Sequence, residues 1–445
     1  MKEFARKSLK KHLPAITIII GFLLVFLTVF GFLGCDDTVV EEIITSDGVV
    51  LMYMGDRLNP DEYSIIGVTA NISGEFVIPD SYQNKPIVKI DAAKRYGFSR
   101  ITSLTIPDGI REINTYFSEC AYLTDFQVLD GNEYFKSVDG VLYNHAGTKL
   151  FRYPKGKQAK EYTVIEGVET IGKFAFSACE IIKKSSLPEN LSTVFTENTS
   201  FSDIKMPLSL RRIEENAFNQ CVVGAIEIPD GVEYIGRNAF SECKSLQVIN
   251  IPASVREIGN AVFSACTRLK SVIISDGVEE LGVGVFTDCT ALVDIYIPGS
   301  VKVIGYCAFA YCENLKNVTI ADGVEEIHSS AFLRCRALTD IYIPASVRKI
   351  EYEAFRNNPD LTIYCEVAAQ PPDWHEGWSS IQIEEAETKI KWGILRDDEN
   401  RQTSNLTALY TSVRRFKASA FCTPTALWTG LPFLKTRRVG MLIMP

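Results

Sequence analysis

The sequence predicts a repeat solenoid, mostly β and irregular, of about eleven coils of about 23 residues with short parallel strands. Three observations predict it. Phenylalanine recurs every 23 residues from Phe240 through Phe263, Phe286, Phe309 and Phe332 to Phe355. Cysteine follows three positions after five of these, at Cys243, Cys266, Cys289, Cys312 and Cys335. Ahead of the pair runs an aliphatic-x-aliphatic-proline step, as in Ile249, Ile251 and Pro252. A fixed period of this length means that one short unit is stacked on itself, so the main surface is a flank rather than a pocket. That steers the functional argument toward binding.

Each part of the unit has a physical reading. The Ile-x-Ile pair has period two and β-branched residues, so it predicts a short strand with one buried face. Proline ends that strand, having no amide hydrogen for a ladder. Val-x-x-Ile-Gly predicts a second short extended piece with glycine at the corner, at Gly236, Gly259 and Gly305. Ala-Phe-x-x-Cys is then expected to carry the chain round the far end as a helical turn. A single coil is too thin to bury its own apolar side chains, each worth about 1.5–3 kcal/mol, so stacked neighbours must supply the partner surface. Divergent copies start at Pro79, Pro107, Ile165, Pro188 and Pro207, and later ones at Ser275, Ala321 and Pro344.

Written out, the unit is Leu-x-x-Ile-x-Ile-Pro-x-x-Val-x-x-Ile-Gly-x-x-Ala-Phe-x-x-Cys. It resembles the BspA-like class of leucine-rich repeats found on bacterial cell surfaces and in some protists. The resemblance covers roughly Asp47 to Gly393. Lys136 to Asn144, followed by Leu150-Phe151-Arg152-Tyr153-Pro154, is similar to the hairpin insertion of that class. Ile363-Tyr364-Cys365-Glu366 with Trp374, Trp378 and Trp392-Gly393 is similar to its closing segment. The departures are Ser275 and Ala321 in the proline slot and a shortened copy around Leu187 to Phe201.

The expected organisation is an export signal over 1–34, a linker over 35–46, the solenoid over 47–393 with a hairpin insertion near 130–160 and a cap at 362–393, and a non-repeat tail over 394–445. Lys2, Arg6, Lys7, Lys10 and Lys11 precede an uncharged apolar run from Leu13 to Gly34, and Cys35 follows. This pattern is an export signal. Leu33-Gly34-Cys35 resembles a lipoprotein signal, with Cys35 lipidated; the apolar run is also long enough for an uncleaved anchor. Both readings place the repeats outside the cytoplasm, tethered to the membrane. The tail is basic, through Arg414, Arg415, Lys417, Lys435, Arg437 and Arg438 among others, and the signal is basic too. The total charge of −9 therefore leaves the repeat body more acidic still. Such a body repels nucleic acid and anionic lipid.

Cysteines Cys179, Cys221, Cys243, Cys266, Cys289, Cys312 and Cys335 share one slot of the repeat. They predict a buried column of free thiols packing as small hydrophobes, because stacked neighbours point the same way rather than at each other. No C-x-x-C pair exists and His12, His145, His328 and His375 are widely separated, so no metal is expected. The sequence holds no G-x-S-x-G, H-E-x-x-H or P-loop. Neither a catalytic site nor a cofactor is predicted.

A second regularity lies four residues after the proline slot. Arg211, Glu233, Arg256, Glu279, Lys302, Glu325 and Arg348 alternate in sign over seven coils, which predicts a self-neutralised structural edge. The outward residues of the first strand are the candidate ligand face: Glu227, Asn250, Asp294, Tyr296, Thr319, Asp340 and Tyr342, with Lys270 and Lys316 at the strand entrance. Tyrosine beside carboxylate suits flat, partly polar contacts with a protein or glycan. The resemblance implies adhesion to host or microbial surfaces. Two other readings stay open: a passive envelope scaffold, and an enzyme with a site in the irregular Ile181 to Ser202 segment or the tail.

Overall fold

The computed structural model describes residues 40–44, 50–55, 62–69, 73–179 (apart from 83, 92–97, 118–119, 158 and 160), 203–379 and 389–394. Cys35, the apolar leader, the shortened repeat around Leu187 and the tail beyond 394 lie outside them. The chain divides into two units, Met1–Lys157 and Gln158–Pro445. The described residues form β-solenoid coils, about twelve turns counted over the two units, against eleven counted from the sequence.

In the first unit, strands Val40–Ile44, Val50–Gly55 and Tyr63–Thr69 form an antiparallel meander. The segment 35–46, read as a linker, therefore contains a strand. Tyr63–Thr69 then pairs in parallel with Lys85–Ile90, which pairs with Glu112–Ile113. Gly74–Val77, Ile101–Ile106 and Asp125–Val128 form a second parallel sheet. Strands Phe135–Val138, Val141–Asn144 and Lys149–Arg152 are antiparallel. Buried Asn132 anchors their entrance by donating to the carbonyls of Pro107 and Ile110 at 2.8 and 3.0 Å. Ile87, Leu104, Phe117, Phe126 and Leu142 contribute to one core.

The second unit carries the regular coils. First strands such as Val248–Ile251 and Asp294–Ile297 bury their isoleucines and leave the alternate residues half-exposed, as period two requires. The second strands are two residues long, for example Val303–Ile304. Ser275 and Ala321, which replace proline, use the amide that proline lacks: they donate to Ile251 O and Ile297 O at 3.1 and 3.0 Å. These departures from the repeat lengthen the ladder by one bond instead of breaking it.

Phe176, Phe218, Phe240, Phe263, Phe286, Phe309, Phe332 and Phe355 form one continuous stack of buried rings, with centroids 5.0–5.5 Å apart and planes within 16° of parallel. The thiols of Cys243, Cys266, Cys289, Cys312 and Cys335 each donate to the phenylalanine carbonyl of the preceding coil at 3.1–3.2 Å. In the last regular coil Asn358 takes the cysteine slot and donates to both Phe332 O and Phe355 O at 2.8 Å. Ten described cysteines are free thiols, nine of them buried. Burial pushes the Cys266 and Cys312 thiols up to about 12.

The helical turn expected at Ala-Phe-x-x-Cys is not formed; the described residues contain no helix. Residues two before and two after each phenylalanine take positive φ instead, for example Asn238 at 53° and Glu242 at 58°. The reason is non-local. The amides of Asn238, Phe240 and Glu242 donate to Asn260, Val262 and Ser264 of the next coil at 2.7–2.9 Å, so alternate amides must point along the stack, and left-handed residues turn them there. The corner glycines answer a different need. A Cβ on Gly305 would lie 2.4 Å from Leu281 O.

The stack ends on tryptophan. Trp378 meets Phe355 edge-on at 6.0 Å and Trp374 at 4.8 Å, and Trp374 also packs on Trp392 at 5.9 Å. Trp374 Nε1 donates to Val347 O at 3.3 Å. These rings cover the apolar end that the next coil would otherwise cover.

Candidate functional site

The first-strand sheet has two side-chain columns on its outer face. Parallel register aligns Asp294, Asn317, Asp340, Thr362 and Lys389 in one column. In the second, Tyr296 is paired with Thr319, Tyr342 with Tyr364, and Tyr364 with Lys391. Inside each strand the neighbouring residues, such as Ile295 and Ile297, go into the core. The outer side chains therefore stand on a rigid backing.

The columns are internally braced. The Asn317 amide donates to Asp294 Oδ1, and the Thr339 hydroxyl donates to Asp340 Oδ2 at 3.0 Å. Tyr342 and Tyr364 stack with centroids 4.6 Å apart and planes at 10°. The Lys391 ammonium lies 4.8 Å from the Tyr364 ring centre and donates to its hydroxyl oxygen at 3.4 Å. Both faces of the Tyr364 ring are thus occupied. A cation over a ring face is attracted by its quadrupole.

The face divides in two. Asn250 lies on the sheet that runs from Glu161–Thr163 to Ser271–Ile274, with Glu227 directly after its strand Ala225–Ile226. Asp294, Tyr296, Thr319, Asp340 and Tyr342 lie on a separate sheet from Asp294–Ile297 to Lys389–Trp392. Lys270 and Lys316 are exposed, one residue ahead of strands Ser271–Ile274 and Asn317–Ile320. Thr319 corrects the sequence reading: it is only 8% exposed. Its short side chain beside Tyr296 on the neighbouring rung is covered, and it offers little to a ligand. Tyr364 and Lys391 were missed. The signal for them was present, since Ile363-Tyr364-Cys365 and Ile390-Lys391-Trp392 repeat the strand pattern.

The alternating-charge residues stack as neighbours through the backbone. Glu233 N donates to Arg211 O at 2.8 Å, Arg256 N to Glu233 O at 3.0 Å, Lys302 N to Glu279 O at 2.7 Å, and Arg348 N to Glu325 O at 2.8 Å. Side-chain pairing is sparser. Among the described residues of this column one ion pair forms, Lys302 Nζ to Glu325 Oε1 at 3.6 Å, while the Arg211 guanidinium turns to the carbonyls of Leu208 and Leu210. Exposed pairs of this kind contribute about 0–1 kcal/mol.

A second polar group was not foreseen. His328 and Glu351 stand in the slot held by glycine at Gly305 and, with Glu326, Lys349 and Ser329, tie two coils together. His328 Nε2 lies 3.1 Å from Glu326 Oε2, and Lys349 Nζ lies 2.8 Å from Glu351 Oε1 and 3.5 Å from Glu326. Glu351 Oε2 accepts from Ser329 N at 3.1 Å and from Ser329 Oγ at 3.2 Å. The hydrogen bond to His328 holds the Glu326 carboxyl below the usual range, with Lys349 assisting and burial opposing. At Glu351 burial pushes up, and the bonds from Lys349 and Ser329 carry the carboxyl down overall. No group of histidine, cysteine or carboxylate among the described residues could hold a metal ion.

The BspA type leucine-rich repeat region matches this chain in six copies, over residues 146–247, 192–315 and 233–362. Residues 146–362 of the chain are a BspA-type leucine-rich repeat region. Its repeats are of a non-catalytic class, and the assignment points to a surface or interaction role. Similar solved structures include a leucine-rich repeat protein from Eubacterium ventriosum, 17% identical over 76% of this chain and 97% of that one, with a TM-score of 0.44. Others are one from Bacteroides ovatus (22%, 80% and 100%, 0.43) and a leucine-rich cell surface protein from Faecalibacterium prausnitzii (23%, 74% and 95%, 0.41). No curated protein matches.

Proposed function

We propose that this protein is exported, held at the membrane through its N-terminal segment, and binds an extracellular protein or glycan on its strand face, in surface adhesion. The observation that carries the reading is the pair of outer columns, with Asp294 and Asp340 in one and Tyr296, Tyr342 and Tyr364 in the other, braced at Asp294, Asp340, Tyr342 and Tyr364 on a sheet whose other face is core. Tyrosine and carboxylate side chains already restricted by such contacts lose less entropy on binding. The apolar run before Cys35 supports the tether. The family assignment supports the surface role.

The test has two arms. Protease shaving of intact cells is run beside metabolic lipid labelling of wild type and Cys35→Ser. Release of the repeats from whole cells and a Cys35-dependent label support the reading. Protection until the envelope is broken removes adhesion and favours an internal scaffold. In the second arm, Tyr296→Ser with Tyr342→Ser is assayed for attachment to matrix proteins and glycans; undiminished attachment removes this face.

A further inference from the structure

The strand face carries its chemistry at a two-coil period. Asp294-Ile295-Tyr296-Ile297-Pro298 recurs as Asp340-Ile341-Tyr342-Ile343-Pro344, and the coil between supplies Asn317 in register with both aspartates. Neighbouring rungs of this sheet are close to one ring stack apart, 4.6 Å between Tyr342 and Tyr364, and parallel strands lie about 4.8 Å apart. Two rungs therefore advance about 9.2–9.6 Å along the sheet. A polyproline II helix advances about 3.1 Å per residue with three residues per turn, so one turn covers about 9.3 Å. Such a helix, laid along the stack, would present equivalent groups to the two sets.

The chemistry matches as well as the spacing. Polyproline II has no internal hydrogen bonds, so its carbonyls need external donors. A tyrosine hydroxyl can donate one bond per turn. Tyr342 is held in place by Tyr364, and Tyr364 by Lys391. Each aspartate has one oxygen engaged by Asn317 or Thr339, and carboxylates two rungs apart match a cation at every third residue of such a helix. Aromatic ridges are the recurring receptor for this conformation, whose preformed shape costs little entropy to bind.

Resting on the proposed function, we infer that the ligand of this face is a proline-rich segment in the polyproline II conformation, with a basic residue at each turn. Asp294 and Asp340 read the basic residues, and Tyr296 and Tyr342 bond the backbone carbonyls.

The probes are three twelve-residue peptides titrated by calorimetry into the full chain: a Pro-Pro-Arg repeat, a Pro-Pro-Glu repeat and a Gly-Ser-Arg repeat. The expected result is binding of the first alone. Tyr296→Phe with Tyr342→Phe, which removes two hydroxyls and keeps the rings, lowers that affinity on the order of tenfold. Asp294→Asn with Asp340→Asn narrows the preference for arginine over glutamate. Equal binding of the Gly-Ser-Arg and Pro-Pro-Arg peptides overturns the inference, because charge alone then suffices. Unchanged affinity in the phenylalanine pair also overturns it. If no peptide binds while Tyr296→Ser with Tyr342→Ser still loses attachment to a glycan or a folded matrix protein, the polyproline assignment fails and the strand-face function stands.

Discussion

Replacing Phe286 by alanine tests whether the ring column is what couples the coils. Phe286 is fully buried and lies 5.4 Å from both Phe263 and Phe309. Its removal leaves a cavity with a neighbouring ring on each side, and truncation of a buried phenylalanine costs about 3–5 kcal/mol. Of that, two stacked pairs account for about 0.5–1.5 kcal/mol each. Phe286→Leu keeps most of the volume and loses the rings, so it should cost about 1–3 kcal/mol. Urea unfolding followed by circular dichroism reads the whole chain, and tryptophan fluorescence follows the cap through Trp374, Trp378 and Trp392, with Trp428→Phe removing the remaining tryptophan. At a urea slope of about 2–3 kcal/mol/M, the alanine variant should unfold about 1–2.5 M earlier. Because coupling in a repeat stack passes only between neighbours, the two probes should also separate in the alanine variant. Coincident transitions and a loss below about 1 kcal/mol in Phe286→Ala would refute the ring column as the coupling element.

Three further outcomes follow. Gly305→Ala forces a Cβ to within 2.4 Å of Leu281 O and should destabilise by about 1–3 kcal/mol. Gly224→Ala, which meets nothing within 4 Å, should stay within about 0.5 kcal/mol by the same urea assay. In a Cys35→Ser, Cys422→Ser background, a thiol reagent on the native protein should modify Cys307, the half-buried one, and reach the nine buried thiols only on unfolding; rapid native labelling of several thiols would contradict the column. Glu326 and Glu351 have carboxyls held below their ordinary value of 4.5 in the folded chain. Their contribution is therefore present above that value and is lost as pH falls through the lower, folded values. Glu326→Gln with Glu351→Gln should flatten the fall in urea midpoint between about pH 5 and 3, and a fall as steep as wild type would exclude this cluster.

What the sequence determined is whatever burial writes locally. The 23-residue recurrence of phenylalanine and cysteine marks residues that face the same core in every coil, and it is enough to place the ring and thiol columns. The Ile-x-Ile step places the strands and their outward residues, because side chains alternate with period two. Asn358 escaped a count of cysteines because it does the cysteine's work, donating to a phenylalanine carbonyl, with different atoms. What the tertiary structure decided depends on partners one coil away. Ala-Phe-x-x-Cys has the composition of a helical turn, yet its alternate amides bond to the next coil and the backbone turns left-handed at residues such as Glu242. The division of the strand face into two sheets, the covering of Thr319, the bracing of Tyr342 by Tyr364 and that of Tyr364 by Lys391 all come from register between strands. Register is set by how neighbouring coils pack. A one-dimensional period states which residues share a column; it does not state which of them touch.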